Sequence, residues 1–296
     1  MNKSNYAYYI SHSSSVNYLN TRFEDASPSK LFYDTLIIDN RITIDTFHVQ
    51  QSNHKISIGT SDYTNSGERR KLMYSLSLLN QNNSILQYYK KLDQLFYYTL
   101  QKNNYVNNIS QFSLGYLMKS WSSQITGAYT LTGYNKGDAN LQLTSLYAVR
   151  DTLGKAKHKL FASAEFSSKR PEYFRSFYTS NSFLWNNEFK KQQSASFTLN
   201  YYHTKIKLRA EAALHIINNF LYYDTLSVSR QTNSAISVSS FLLNKDFSLG
   251  HFHLNNRILF QHVSDKYYLR LPDLMLRHSL YYENYLFKKA LVSFCI

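Results

Sequence analysis

Residues 205–216, KIKLRAEAALHI, alternate strictly: Lys205, Lys207, Arg209, Glu211, Ala213 and His215 on one side, Ile206, Leu208, Ala210, Ala212, Leu214 and Ile216 on the other. A period of two is the mark of a β-strand with one apolar and one polar face. The pattern recurs. In 194–201, Ala195, Phe197, Leu199 and Tyr201 oppose Ser194, Ser196, Thr198 and Asn200. In 157–167, Leu160, Ala162, Ala164 and Phe166 oppose Lys157, Lys159, Ser163, Glu165 and Ser167, with Phe161 as an exception on the polar side. In 121–132, Trp121, Ile125, Tyr129 and Leu131 oppose Ser122, Gln124, Thr126, Thr130 and Thr132, and 139–149 carries the row Leu141, Leu143, Tyr147 and Val149. Similar runs are predicted near 70–79, 108–118, 233–243, 248–261 and 273–283, with weaker ones near 5–18, 48–60 and 287–296. No helical periodicity of comparable length competes with them.

The links between runs are of two kinds. Short ones are expected at 151–157, 203–205, 244–246 and 135–138, and long ones at 20–46, 80–105, 168–190 and 219–232. Their broad alternation matches a membrane barrel, with tight turns at one end and longer loops at the other. A soluble sandwich would keep no such asymmetry and would use more Gly and Pro in its turns. Aromatic clusters flank the runs: Tyr6, Tyr8 and Tyr9; Tyr201 and Tyr202; Tyr222 and Tyr223; Tyr267 and Tyr268; Tyr281, Tyr282 and Tyr285. Rings with a polar tip favour the membrane interface. The expected fold is therefore all-β: one antiparallel up-and-down transmembrane β-barrel domain over 1–296, with about 12 to 13 strands in this chain and not necessarily complete. In it the aliphatic rows face lipid and the charged rows face a hydrated lumen.

Composition sharpens this reading. Of the 296 residues, 16% are aromatic, which argues against disorder. A mean hydropathy of -0.43 and the lack of any long apolar stretch would suggest a soluble protein. A barrel strand needs only one apolar face, so that inference does not hold here. The single cysteine, Cys295, excludes an intrachain disulfide and a cysteine-rich metal site. The net charge of +14 is compatible with nucleic acid, an acidic membrane surface or an anion-conducting lumen. The basic residues are scattered among strands and turns, not clustered on one helix, so no nucleic-acid partner is expected. No apolar signal segment follows Met1, which reads as a chain that is not exported or as the interior of a longer one.

Several stretches resemble the putative porin family of the Bacteroidetes outer membrane: 23–39, 130–141, 170–189 and 270–291. Gly133-Tyr134-Asn135 with Asp138, the Tyr178, Asn181 and Trp185 segment, and Arg270-Leu271-Pro272 carry most of the likeness. The resemblance implies an outer-membrane barrel of undefined substrate and brings no catalytic residues. Family members begin with a signal peptide and continue past the segment matching 285–291, so this chain reads as a fragment lacking both ends.

The chemistry expected follows from the polar rows. Lys55, Lys157, Lys159, Lys205, Lys207, Arg209, Arg257 and Arg277 fall on rows predicted to face the lumen, where Glu165, Glu211 and Glu283 are the few acids. Rings of Lys and Arg select for anions; the bland alternative places many of these cations at strand ends, beside headgroups or in solvent. His251 and His253 lie two apart on one predicted strand face, without a third ligand nearby in sequence, and read as solvated imidazoles, not a metal site. No G-x-S-x-G, H-E-x-x-H or P-loop occurs, so neither an enzyme nor a cofactor is expected. The expected partners are the lipid bilayer and small polar or anionic solutes. The function expected is passive diffusion or uptake through an outer-membrane pore; the alternative is a non-conducting scaffold for adhesion or assembly. The long loop 168–190 either folds inward as a constriction or forms an external binding surface.

Overall fold

The computed structural model describes residues 8–29, 36, 39, 41–60, 71–90, 97–150, 156–286 and 290–295, with 89–90, 97–101, 285–286 and 290–295 as backbone. The first seven strands are β1 (Tyr8–Asp25), β2 (Thr43–Thr60), β3 (Leu72–Lys90), β4 (Tyr97–Leu117), β5 (Trp121–Thr132), β6 (Ala139–Arg150) and β7 (Ala156–Lys169). A helical turn, α1 (Tyr173–Ser176), and the small strands β8 (Phe177–Thr179) and β9 (Leu184–Asn186) follow. Next come β10 (Gln192–His203), β11 (Leu208–Asn218), a second small pair, β12 (Leu221–Tyr223) and β13 (Ser229–Gln231), then β14 (Ile236–Leu249), β15 (Phe252–Val263), β16 (Leu274–Leu286) and β17 (Ala290–Cys295). Thirteen of these form one sheet in the order β1-β2-β3-β4-β5-β6-β7-β10-β11-β14-β15-β16-β17. Every pairing is antiparallel between sequence neighbours in that sheet, so the chain is an up-and-down barrel wall.

Register decides the faces. Ile58 of β2 opposes Leu76 of β3, Leu76 opposes Phe112 of β4, and Phe112 opposes Gly127 of β5. The row continues from Gly127 through Leu141, Phe166 and Ala195 to Ile216. Large apolar side chains on this face, among them Ile56, Leu78, Leu143, Phe197, Leu199 and Phe260, are exposed, as a lipid-facing surface requires. The opposite face carries Ser75, Ser77, Gln81, Asn83, Gln87, Asn107 and Thr130, several of them buried. Trp121 and Tyr129 bound the outward row of β5, and Tyr116 meets Trp121 edge-on at 6.1 Å, an aromatic girdle at the tight-turn end.

Tight turns and long loops do alternate. Residues 118–120, 204–207 and 250–251 close hairpins at one end, while 170–191, 219–235 and 264–273 connect strands at the other. The predicted turn at 151–157 falls mainly on 151–155, outside the described residues.

Four expectations change. First, β11 begins at Leu208; residues 204–207 form the turn, with Lys207 at φ +48°. Lys205, Ile206 and Lys207 thus sit at a hairpin tip, off the wall: alternation persists through a turn when the turn residues continue the polar–apolar pattern. Second, no turn occurs at 244–246. β14 runs through Asn244-Lys245-Asp246, and the reversal falls at Gly250 (φ +58°) and His251. Gly250 adopts the left-handed backbone without steric cost. His251 therefore lies in the turn and does not share a strand face with His253.

Third, the predicted long link 80–105 is mostly strand, since β3 reaches Lys90 and β4 starts at Tyr97. No apolar row marks this part because both faces are polar, and cross-strand amides hold it. On the inner face Asn53 Nδ2 donates to Ser15 Oγ (3.3 Å), Gln81 Nε2 to Asn53 Oδ1 (3.3 Å) and Asn107 Nδ2 to Gln81 Oε1 (3.0 Å). On the outer face Asn80 Nδ2 donates to Asn108 Oδ1 and Asn108 Nδ2 to Thr132 Oγ1, both at 2.8 Å. A spanning strand needs about 9–11 residues; β1 to β4 have 18 to 21 and so extend past the hydrocarbon layer. Fourth, only Tyr201 and Tyr282 among the predicted girdle pairs take outward positions on wall strands away from the sheet edge. Tyr9, Tyr202 and Tyr281 belong to the inner rows, and Tyr222, Tyr223, Tyr267 and Tyr268 lie in loops or the small strands. Tyr6 and the Tyr285 side chain fall outside what the structure describes.

The facing yields an energetic prediction. Leu143 opposes Ala164 and Ile125, and Ile125 lies midway between Trp121 and Tyr129 on the outward row of β5. Leu143→Arg should destabilise the folded protein in lipid vesicles by roughly 2–4 kcal/mol, and Leu208→Arg, beside its turn, by only ~0–1 kcal/mol. Urea titration of refolded protein measures both, and equal losses would contradict the assigned membrane depth.

Candidate functional site

The connection between β7 and β10 folds back over the polar face. Its residues meet β2 to β4, several strands away along the sheet. Phe174 packs edge-on against Phe47 of β2 at 5.3 Å, and Tyr178 stacks on the same ring at 5.3 Å. Gln87 of β3 donates its side-chain amide to the Thr179 carbonyl. Tyr173 meets Tyr134, and Tyr134 meets Tyr105 of β4, at 5.9 and 5.1 Å. Every wall residue in these contacts is on the polar rows, so the polar face is the inside and this loop lies within the mouth.

Asn181 is the fastening point. It is fully buried and uses its backbone and both ends of its amide. Its Nδ2 donates to the Asp39 carbonyl (2.8 Å) and to Thr43 Oγ1 (2.6 Å), and its Oδ1 accepts from the Asp39 N–H (3.0 Å). Its own N–H is shared between the two Asp45 carboxylate oxygens at 3.3 and 3.4 Å. Beside it, Tyr178 lies face to face with Trp185 at 4.5 Å, and Trp185 Nε1 donates to the Phe174 carbonyl at 3.0 Å. Burial, and secondarily the Asp45 charge, push the Tyr178 hydroxyl up to about 12, so it remains a neutral phenol.

The 133–138 turn holds the loop's base. Gly133 has φ +98°, and a side chain there would run into the Val106 carbonyl, so only glycine fits. Asn135 Nδ2 donates to Asp138 Oδ2 (3.0 Å), and Asp138 Oδ1 accepts the Arg170 N–H (2.8 Å) and pairs with Lys191 Nζ (3.0 Å). Asp138 thus ties down both ends of the 170–191 connection. Two further loops join it. Trp185 meets Tyr223 of β12 at 6.4 Å, and Arg175 lies 4.3 Å over the same ring. Leu269 and Leu271 pack with Phe220 and Tyr268 on the buried cluster Ile236, Val238 and Val263.

Below the mouth, register aligns charges across the inner wall. Lys159 of β7 opposes Tyr202 of β10, Tyr202 opposes Arg209 of β11, and Arg209 opposes Asn244 of β14. Asn244 opposes Arg257 of β15, which opposes Arg277 of β16. Four cations therefore share one cross-strand row. Arg257 and Arg277 are direct neighbours of like charge, which stabilises nothing in the fold itself. Arg209 is the partly neutralised member: its Nη2 meets Glu211 Oε2 at 2.7 Å and Asn200 Oδ1 at 3.1 Å. Among the described residues no carboxylate lies within 4.0 Å of Lys159, Arg257 or Arg277. All four side chains are exposed to the concavity.

The other candidates are dispersed. Lys157 and Glu165 share the inner face of β7 with Lys159, two residues before and six after it. Lys55 lies on the inner face of β2. His253 faces inward near the tight-turn end, with Ser248 Oγ 3.0 Å from Nδ1, Glu283 Oε2 3.6 Å from Nε2 and Tyr281 stacked at 5.0 Å. Among the described residues no group of three or more His, Cys, Asp or Glu is placed to hold a metal ion. The partners of Asn181 lie more than 130 positions away and had no sequence signal; that three of the resemblance-carrying residues, Asn181, Tyr178 and Asp138, make the loop's anchors is the one clue that could have found them.

Comparison with known proteins is consistent with this architecture. A family model described as "putative porin" matches residues 2–293. No curated protein matches the chain. Similar solved structures include a copper transporter, OprC, at TM-score 0.61 and 10% identity over 93% of this chain and 47% of that one. Another is the FpvAI–pyocin S2 complex, at TM-score 0.58 and 10% identity over 98% of this chain and 44% of that one. They share its fold, and the chain spans somewhat less than half the length of each.

The fastening of the loop can be tested directly. Asn181→Ala removes three side-chain hydrogen bonds in a buried site, two to the Asp39 backbone and one to the Thr43 hydroxyl, each worth about 0.5–1.5 kcal/mol. Limited proteolysis of the membrane-inserted protein should then cut within 170–190 at least tenfold faster than in the parent. Unchanged cleavage would mean that the aromatic contacts alone hold the loop.

Proposed function

The chain belongs to the putative porin family and is an outer-membrane protein, and from that premise we propose that it forms part of the wall of a pore for small polar solutes, with a preference for anions. The observation that carries the preference is the row Lys159, Arg209, Arg257 and Arg277, of which Arg209 alone has a carboxylate beside it among the described residues. Fixed positive charge on a low-dielectric wall raises the local concentration of anions and repels cations. The guanidinium groups are suited to carboxylate and phosphate, which they grip with two parallel hydrogen bonds. The loop fastened by Asn181 narrows the mouth, so solutes entering from that end pass beside it before meeting the row. No step of this function calls for a nucleophile, a metal or a cofactor.

Screening limits the effect. At physiological salt it acts over about 8 Å, so anion preference should be moderate and should shrink as salt rises. Reversal potentials across a KCl gradient, measured on the protein in planar bilayers, read it directly. The parent should be anion-selective, and Arg257→Gln with Arg277→Gln should move the reversal potential towards zero. A cation-selective parent would overturn the preference. An electrically silent one would favour the non-conducting scaffold, in which the docked loops close the mouth.

A further inference from the structure

The inner wall has a second region of different chemistry. A cavity of about 580 Å³ opens on the concave face at the tight-turn end. Its lining runs from Tyr9 of β1 to Phe161 of β7. Strands that far apart can border one cavity only because the sheet curls. Phe161 breaks the polar row of β7, and this is where it points: with Tyr9 and Met73 it gives the cavity apolar walls. Between them lie Ser113, Gln124 and Thr144, and Gln124 Nε2 donates to Ser113 Oγ at 3.0 Å. Among the described residues no Lys, Arg, Asp or Glu lines it.

We propose that this cavity is a binding subsite for a neutral, polyhydroxylated solute of the size of a mono- or disaccharide. The volume lies within the roughly 300–1,000 Å³ of small-molecule sites, and the mix of aromatic walls with a few polar groups is their usual make-up. Serine and threonine hydroxyls each donate and accept, and the glutamine amide does both through separate atoms. That set answers the hydroxyls of a sugar, which also donate and accept. Aromatic faces cover the C–H faces of a sugar ring, which are apolar. Among the described lining residues a charged solute finds no counter-ion to replace its hydration, and it is better served by the cationic row. The row begins at Lys159, two residues from Phe161 on the same face of β7. The wall therefore sorts solutes by charge over neighbouring areas, and a hydroxylated chain can be held without being trapped by strong ionic contacts.

This subsite goes beyond the pore reading, since it requires only that a solute reach the inner face. Equilibrium dialysis of the refolded protein in detergent against labelled maltose, with gluconate as the anionic comparison, tests it apart from conduction. Maltose should bind saturably in the millimolar range and more tightly than gluconate. Phe161→Ala and Gln124→Leu should each weaken maltose binding about tenfold. Should Phe161→Ala fail to refold, judged by loss of the heat-dependent gel shift, Gln124→Leu carries the test. Absence of saturable maltose binding, tighter binding of gluconate, or equal binding by the parent and Gln124→Leu would each overturn the proposal. A protein silent in bilayers that still binds maltose through Phe161 and Gln124 would refute the pore and leave the subsite standing.

Discussion

In hydrocarbon there is no water to satisfy a backbone N–H or C=O, so each must find its partner in another strand. That constraint accounts for the plainness of this wall. Thirteen strands pair only with their sequence neighbours, all antiparallel, in one continuous meander. Apart from irregularities at 87/88, 108/109 and 149/150, the register fixes each side chain as outside or inside, and a slip of one residue would exchange the two. Leu143 faces lipid and Thr144 faces the interior for the same reason that Ile125 faces out and Gln124 faces in. The inner charges, the cavity and the loop contacts are all consequences of that one parity.

How legible the fold was depended on whether parity carried a hydrophobic signal. Where a strand lies within the apolar layer, lipid demands an aliphatic row and the sequence shows one, as in β5, β6, β7 and β10. Where β3 and β4 rise beyond that layer, nothing demands it. Asn80, Asn82, Asn104 and Asn108 occupy the outward positions there, and the strand reads as loop although its amides pair across it. The opposite error arose at 204–207, where Lys205, Ile206 and Lys207 extend the alternation of β11 into a turn. Alternation is a statement about exposure, and a turn residue can satisfy it by chance. Gly250 was the better turn signal than Asn244-Lys245-Asp246, since the turn needed a left-handed backbone and charge had no part in it.

The functional features were legible in part. That Lys159, Arg209, Arg257 and Arg277 fall on polar rows follows from local alternation. That they fall on the same cross-strand row follows from registers summed over six strands, which local pattern does not contain. The loop was harder still. Asn181 binds residues of β2 and of the segment before it, and nothing in a run such as TSNSFLW announces a partner more than 130 residues earlier. What did mark these residues was their share in the family likeness. The structure supplies the physical reason: Gly133, Asp138, Tyr178 and Asn181 each hold the loop by geometry that a different side chain would not reproduce.

The two chemistries of the inner wall are compatible because of where they stand. A charge acts at a distance set by screening, about 8 Å at physiological salt, whereas a hydroxyl or an aromatic face acts only on contact. The cationic row can therefore influence whatever is drawn past it, while the cavity between Tyr9 and Phe161 acts only on a solute pressed against that side. Were a Lys or Arg among the described residues that line the cavity, the two would merge into one strong site. Tight binding slows release, and a passage that must also let its solutes leave is better served by weak contacts in series. In the proposed passage, Phe161 and Lys159 on one strand face, adjacent yet different in kind, would keep both contacts weak and set them one after the other.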